Sequence, residues 1–125
     1  DGFLIRGWHL DNQVWTVETS PPPILQTQYL SFDIRTVDGL VYALAQPVKP
    51  STPARMFTWN PDTDVWAEIT FASTLPTPKN VHDHSFVYFP KYDVFAWLQT
   101  ISLYCPDAGS AWACGGETKL WFWKP

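Results

Sequence analysis

Apolar and aromatic positions in this chain come in short runs, often alternating with polar ones. Each run is bounded by Pro, Gly, Asn, Asp or Ser. Short alternating runs between turn residues predict β-strands, because an amphipathic helix needs a longer stretch with a period near 3.6. The pattern predicts strands at Phe3–Trp8, Val14–Glu18, Tyr29–Ile34, Leu40–Gln46, Met56–Trp59, Val65–Thr70, Ser85–Phe89, Asp93–Gln99 and Leu120–Trp123. Asp11-Asn12, Val37-Asp38-Gly39, Asn60–Asp64 and Pro90-Lys91-Tyr92 supply the turns, with Gly39 free to take positive φ and Asp62 suited to a local side-chain bond. Pro21-Pro22-Pro23 and the three prolines of Pro47–Pro53 break any ladder, since proline has no N–H to donate. Leu75–His84 reads as a second connector and Ile101–Glu117 as a long loop.

The stretch Arg55–Thr70, RMFTWNPDTDVWAEIT, recurs along the chain. Trp8 and Trp15 stand 51 residues before Trp59 and Trp66, and Asp11 stands 51 before Asp62. KLWFWKP at Lys119–Pro125 repeats RMFTWNP at Arg55–Pro61. SFDI at Ser31 and SFVY at Ser85 lie 54 apart, while VYALAQ at Val41 and VFAWLQ at Val94 lie 53 apart, which predicts a second turn one residue shorter. Self-similarity at roughly 40–50 residues with four short strands per unit is the sequence signature of a β-propeller. With blade strands lettered a to d from the inside out, the nine strands read c–d, a–b–c–d, a–b–c, about two and a quarter four-stranded antiparallel blades. The blade parts span residues 1–20, 28–70 and 84–125 of one all-β segment. Rings need roughly 4–8 blades. The expectation is therefore a part of a larger propeller, whose remaining polypeptide, or other chains, covers the edge strands Phe3–Trp8 and Leu120–Trp123. The alternative is a small β-sandwich closed by Val14–Glu18 pairing with Leu120–Trp123.

Composition narrows the function classes. The chain of 125 residues is 46% hydrophobic and 16% charged, so it can bury a core. A net charge of −4 and a pI near 5.1 argue against a nucleic-acid partner, which calls for clustered Lys and Arg. No apolar run is long enough for a membrane-spanning helix. With Asp at residue 1, the front reads as processed or trimmed.

The succession of apolar strand, short turn, apolar strand, loop, aromatic strand and NPDTDVW (Asn60–Trp66) resembles the kelch repeat of galactose-oxidase-like propellers. The run from FVYFPKYDVFAWLQ to LWFWKP is similar to the closing blades of secreted bacterial and phage-type members. The Gly-Gly pair that kelch motifs carry after strand b is replaced by Ala45-Gln46-Pro47 and Gln99-Thr100-Ile101. The resemblance implies fold rather than function.

Candidate chemistry gathers on the long segments, where binding residues concentrate. His82 and His84 in His82-Asp83-His84 point the same way in an extended chain, as ligand-contacting residues or a metal pair; the other reading is that they simply open the next strand. No third ligand is identifiable, so no metal site is assigned. Tyr104 and Trp112 stand where aromatics stack on a sugar ring, or where they form the private core of their loop. Cys105 and Cys114 in that loop are expected to form a disulfide, which implies an extracellular, secreted or particle-associated protein; the alternative is two free thiols in a cytosolic one. G-x-S-x-G, H-E-x-x-H, P-loop and dinucleotide signatures are absent, and no cofactor is implied. The expected function is a non-enzymatic module that binds a glycan or a protein through its loop face. The alternatives are a segment of a secreted carbohydrate-active enzyme and a structural part of a viral or surface assembly.

Overall fold

A computed structural model describes residues 5–9, 13–19, 28–47, 53–75, 84–102 and 116–125. Among these residues the chain is all β, with nine antiparallel strands and no helix. They are β1 (Ile5–His9), β2 (Val14–Thr19), β3 (Gln28–Ile34), β4 (Val41–Pro47), β5 (Arg55–Asn60), β6 (Val65–Glu68), β7 (His84–Phe89), β8 (Val94–Ser102) and β9 (Gly116–Trp123). They form three separate meanders: β1-β2, β3-β4-β5-β6 and β7-β8-β9. Among the described residues no meander closes on itself or joins another edge to edge. The pairing of Val14–Glu18 with Leu120–Trp123 does not occur: β2 pairs with β1, and β9 with β8.

Two sequence expectations are corrected at the ladders. The loop at Ile101–Glu117 is shorter than its composition suggested. Thr100, Ile101 and Ser102 continue β8 and pair with Thr118, Glu117 and Gly116. Thr and Ile sit well on a pleated surface, so their polar or branched character extends the strand rather than ending it. The second correction concerns register. Ser31 pairs with Leu44, and Ser85 pairs with Leu98, so the two hairpins have equal length and the offset is 54 on both strands. VYALAQ and VFAWLQ, one residue out of step, therefore occupy opposite faces, as a single-residue slip requires. Tyr42 and Leu44 face the β7–β9 sheet, and Phe95 and Trp97 face back at them. The C-terminal repeat does keep its place. Phe57 lies opposite Ala43 and Trp121 opposite Trp97, so RMFTWNP and KLWFWKP are equivalent strands.

The hairpins share one turn design. Arg35–Leu40, Asn60–Val65 and Phe89–Val94 each enclose four residues, and the last of the four is left-handed: Gly39 (φ 72°), Asp64 (φ 53°) and Asp93 (φ 50°). Gln13 (φ 58°) holds the same position before β2. Glycine meets this conformation without a Cβ penalty, and Asp tolerates it by local hydrogen bonding. Asp64 does so by accepting from Trp59 Nε1 at 3.0 Å. In this turn the backbone bonds go to Asn60 rather than Asp62: Asn60 Oδ1 accepts the N–H groups of Asp62 (2.9 Å) and Thr63 (3.3 Å).

The main core lies between the second and third sheets. Tyr42, Leu44, Ala54 and Met56 from one side meet Phe86, Tyr88, Phe95 and Trp97 from the other. Phe95 is its hub, 1% exposed. Its ring lies 4.7 Å from Tyr42, 4.8 Å from Phe86, 5.0 Å from Tyr88 and 5.6 Å from Trp123. Phe71, past the end of β6, closes the far side at 5.5 Å from Trp123. A smaller cluster, Ala43, Ala45 and Phe57 with Leu30 and Trp66, occupies the opposite face of the four-stranded sheet, where Trp59 and Trp66 stack at 5.9 Å.

Candidate functional site

The two stacked sheets have distinct ends. At one end lie the turns after β3 and β7, joined by a clasp of charged groups. Arg35 leaves β3 and spans to the turn before β8. Its Nε and Nη2 donate to Asp93 Oδ1 and Oδ2, both at 2.7 Å, as a bidentate fork. Its Nη1 donates to Asp38 Oδ2 at 2.5 Å. Tyr42 and Tyr88 hydroxyls donate to Asp38 (3.0 Å) and Asp93 (2.9 Å). The Leu40 N–H donates to Asp38 Oδ1 at 3.0 Å. Two residues before Arg35, Asp33 Oδ2 accepts the Tyr88 backbone N–H at 2.6 Å, so a side chain of β3 serves the ladder edge of β7.

The electrostatics follow from these contacts. Hydrogen bonds from Arg35 hold the Asp93 carboxyl down at about 2, against the upward push of burial and with help from the Tyr88 hydroxyl. Burial pushes the Asp38 carboxyl up, but the bonds from Leu40, Arg35 and Tyr42 outweigh it and leave the group below its ordinary range. Burial raises both tyrosine hydroxyls, and their carboxylate partners raise them further. The hydrogen bonds to Asp93 and Asp38 keep Arg35 firmly protonated. The charges answer one another, and the groups that resemble acid–base machinery serve to join two sheets. Bidentate guanidinium–carboxylate pairs supply geometry as well as attraction.

A second feature is an open groove of about 440 Å³ between the start of β5 and the segment after β6, lined in part by Ala54, Met56, Ile69, Phe71 and Leu75. Arg55 and Glu68 line it as a bidentate ion pair on the sheet surface, with Arg55 also 5.1 Å over the Phe57 ring. That pairing raises the Arg55 pKa and lowers that of Glu68. Thr70, Ser73 and Thr74 also line the groove.

The opposite end of the sheets is where the longer segments leave. β4 ends and β5 begins there, as do β8 and β9, and β7 starts there. His84 is the first residue of β7, opposite Gln99. His82, Asp83, Tyr104, Cys105, Trp112 and Cys114 lie outside the described residues, and with them the cysteine pairing. Just inside this end, Gln46 is fully buried with both amide atoms lacking a protein partner, and Trp97 Nε1 is in the same position. Trp121 Nε1 donates to Gln99 Oε1 at 3.3 Å. Among the described residues no three or more His, Cys, Asp or Glu side chains converge as metal ligands.

With this geometry in place, the chain was compared with known proteins. No protein-family model, curated protein or solved structure matches it.

The clasp was not among the candidates drawn from the sequence. Arg35 and Asp93 are 58 residues apart, and no local pattern links them. One signal was available: Gly39 and Asp93 are equivalent at the 54-residue offset, so an aspartate stands where its repeat has the glycine of a left-handed turn.

Proposed function

We infer that the chain is a non-enzymatic binding module, built as about two and a quarter blades of a kelch-like β-propeller. The observation that carries this reading is the relation between the second and third sheets. Two meanders at one constant register stack face to face, with their first strands β3 and β7 drawn together by Asp33 and Arg35. Radially arranged blades need such a relation, with first strands innermost. The turn ends are spent on the clasp, and the loop ends are left for recognition. On this reading His82, Asp83, His84, Tyr104 and Trp112 form the ligand face, in a secreted or particle-associated protein with Cys105 and Cys114 joined. The ligand is a glycan or a protein, and further polypeptide covers the edge strands.

Paired alanine substitutions at Tyr104 and Trp112 test the ligand face. Glycan-array and pull-down binding by the unaltered chain is expected to fall at least tenfold in the double variant. Unchanged far-UV circular dichroism is the control. Binding at full strength without both rings removes them from the site.

A further inference from the structure

The third sheet has two apolar faces, and among the described residues only one is covered. The covered face carries Phe86, Tyr88, Phe95, Trp97 and Trp123 against the second sheet. Between those positions point Val87, Phe89, Leu98, Leu120 and Phe122, all exposed. They form one uncharged surface across three adjacent strands, because Ala96 pairs with Val87 and Phe122, and Leu98 pairs with Ser85 and Leu120. Contiguous exposed apolar surface of this kind marks an interaction site.

The internal repeat says what such a face receives. Leu98 is the 54-residue equivalent of Leu44, and Leu120 is the equivalent of Met56. Leu44 and Met56 are 0% and 3% exposed because an aromatic sheet face lies on them; Leu98, Leu120 and Phe122 are 39%, 53% and 66% exposed. The free face is thus the continuation of an interface the chain already makes once. Among the described residues β5 has β6 on its outer side, whereas its equivalent β9 has β8 as its sole strand neighbour.

Trp123, which packs on that covered core, has a sequence counterpart at the front of the chain. Trp123 is equivalent to Trp59, and Trp59 is equivalent to Trp8 at the 51-residue offset. The ladder sets Trp8 opposite Trp15 as it sets Trp59 opposite Trp66. We propose that the uncovered face of β7–β9 docks a second copy of this chain, head to tail, through that copy's β1–β2 hairpin. Such a contact uses two different surfaces, so it does not close at two copies and continues to a ring or an open stack. The proposal rests on the stacked-repeat reading above, but it concerns a surface away from the loop ends.

Sedimentation velocity on the whole chain, from micromolar to hundred-micromolar concentration, tests it. The expected result is a mass that climbs beyond two copies with concentration. Phe122→Asp and Leu120→Lys should each weaken association at least tenfold while circular dichroism stays unchanged. Trp15→Lys should do the same from the other side. A mixture of the Phe122→Asp and Trp15→Lys chains should form a complex that stops at two copies, because each retains one good half. A single-copy mass throughout, association that ignores the Phe122 and Leu120 substitutions, or wild-type assembly that halts at two copies would overturn the proposal. Ligand binding through the loops is read separately, so either result stands apart from the other.

Discussion

Phe95→Ala is expected to remove most of the stability of this chain. Phe95 touches Tyr42, Phe86, Tyr88 and Trp123, and among the described residues it is the only ring that meets all four. Truncating a buried Phe to Ala typically costs about 3–5 kcal/mol, from lost transfer energy and the cavity left behind. Aromatic pairs contribute about 0.5–1.5 kcal/mol each beyond area burial, so the loss here belongs at the upper end. Against a total stability of about 5–15 kcal/mol, the midpoint of thermal unfolding should fall by roughly 10–25 °C. Phe95→Leu keeps most of the volume and should lose much less. A shift below about 5 °C for the alanine variant would mean that the two sheets do not share this core.

The second large effect is acid sensitivity at the clasp. The folded Asp93 carboxyl titrates at about 2, whereas an unperturbed Asp titrates near 3.9. A depressed folded value means the carboxylate contributes stability that is fully present above the unfolded value and is lost as pH falls towards the folded one. The unfolding midpoint should therefore drop steeply between about pH 4 and pH 2. Asp38, also held low, adds to the same slope. Asp93→Asn should lower the midpoint at neutral pH and flatten the acid limb. Arg35→Lys should behave similarly, because an ammonium cannot reproduce the fork to both oxygens. An acid limb in Asp93→Asn as steep as in the unaltered chain would remove the clasp from the account.

How much of this was legible in the sequence varies by feature. The strands were, because Trp8/Trp15 and Trp59/Trp66 pair in the ladders as their repeat spacing implies. Gly39 was legible as a left-handed turn residue. The facing of the apolar runs was not. VYALAQ and VFAWLQ look equivalent by composition, yet the ladders place them on opposing surfaces, and only pairing partners fix which side of a pleat a residue takes. The clasp escaped for another reason. Ion pairs between distant turns depend on how two sheets stack, and that stacking is decided by Leu44, Phe95 and their neighbours rather than by the charged residues themselves. Of the proposed ligand-face residues, the described ones include only His84, at the start of β7.

The stacking of the second sheet on the third underlies the proposed function, the docking face and both stability effects. Nuclear Overhauser contacts of the Trp123 indole test it most directly. Cross-peaks are expected from Trp123 to the rings of Tyr42, Phe71 and Phe95, whose centroids lie 5.7, 5.5 and 5.6 Å away. Cross-peaks from Trp123 to residues 14–18 instead, with none to Tyr42, would contradict it.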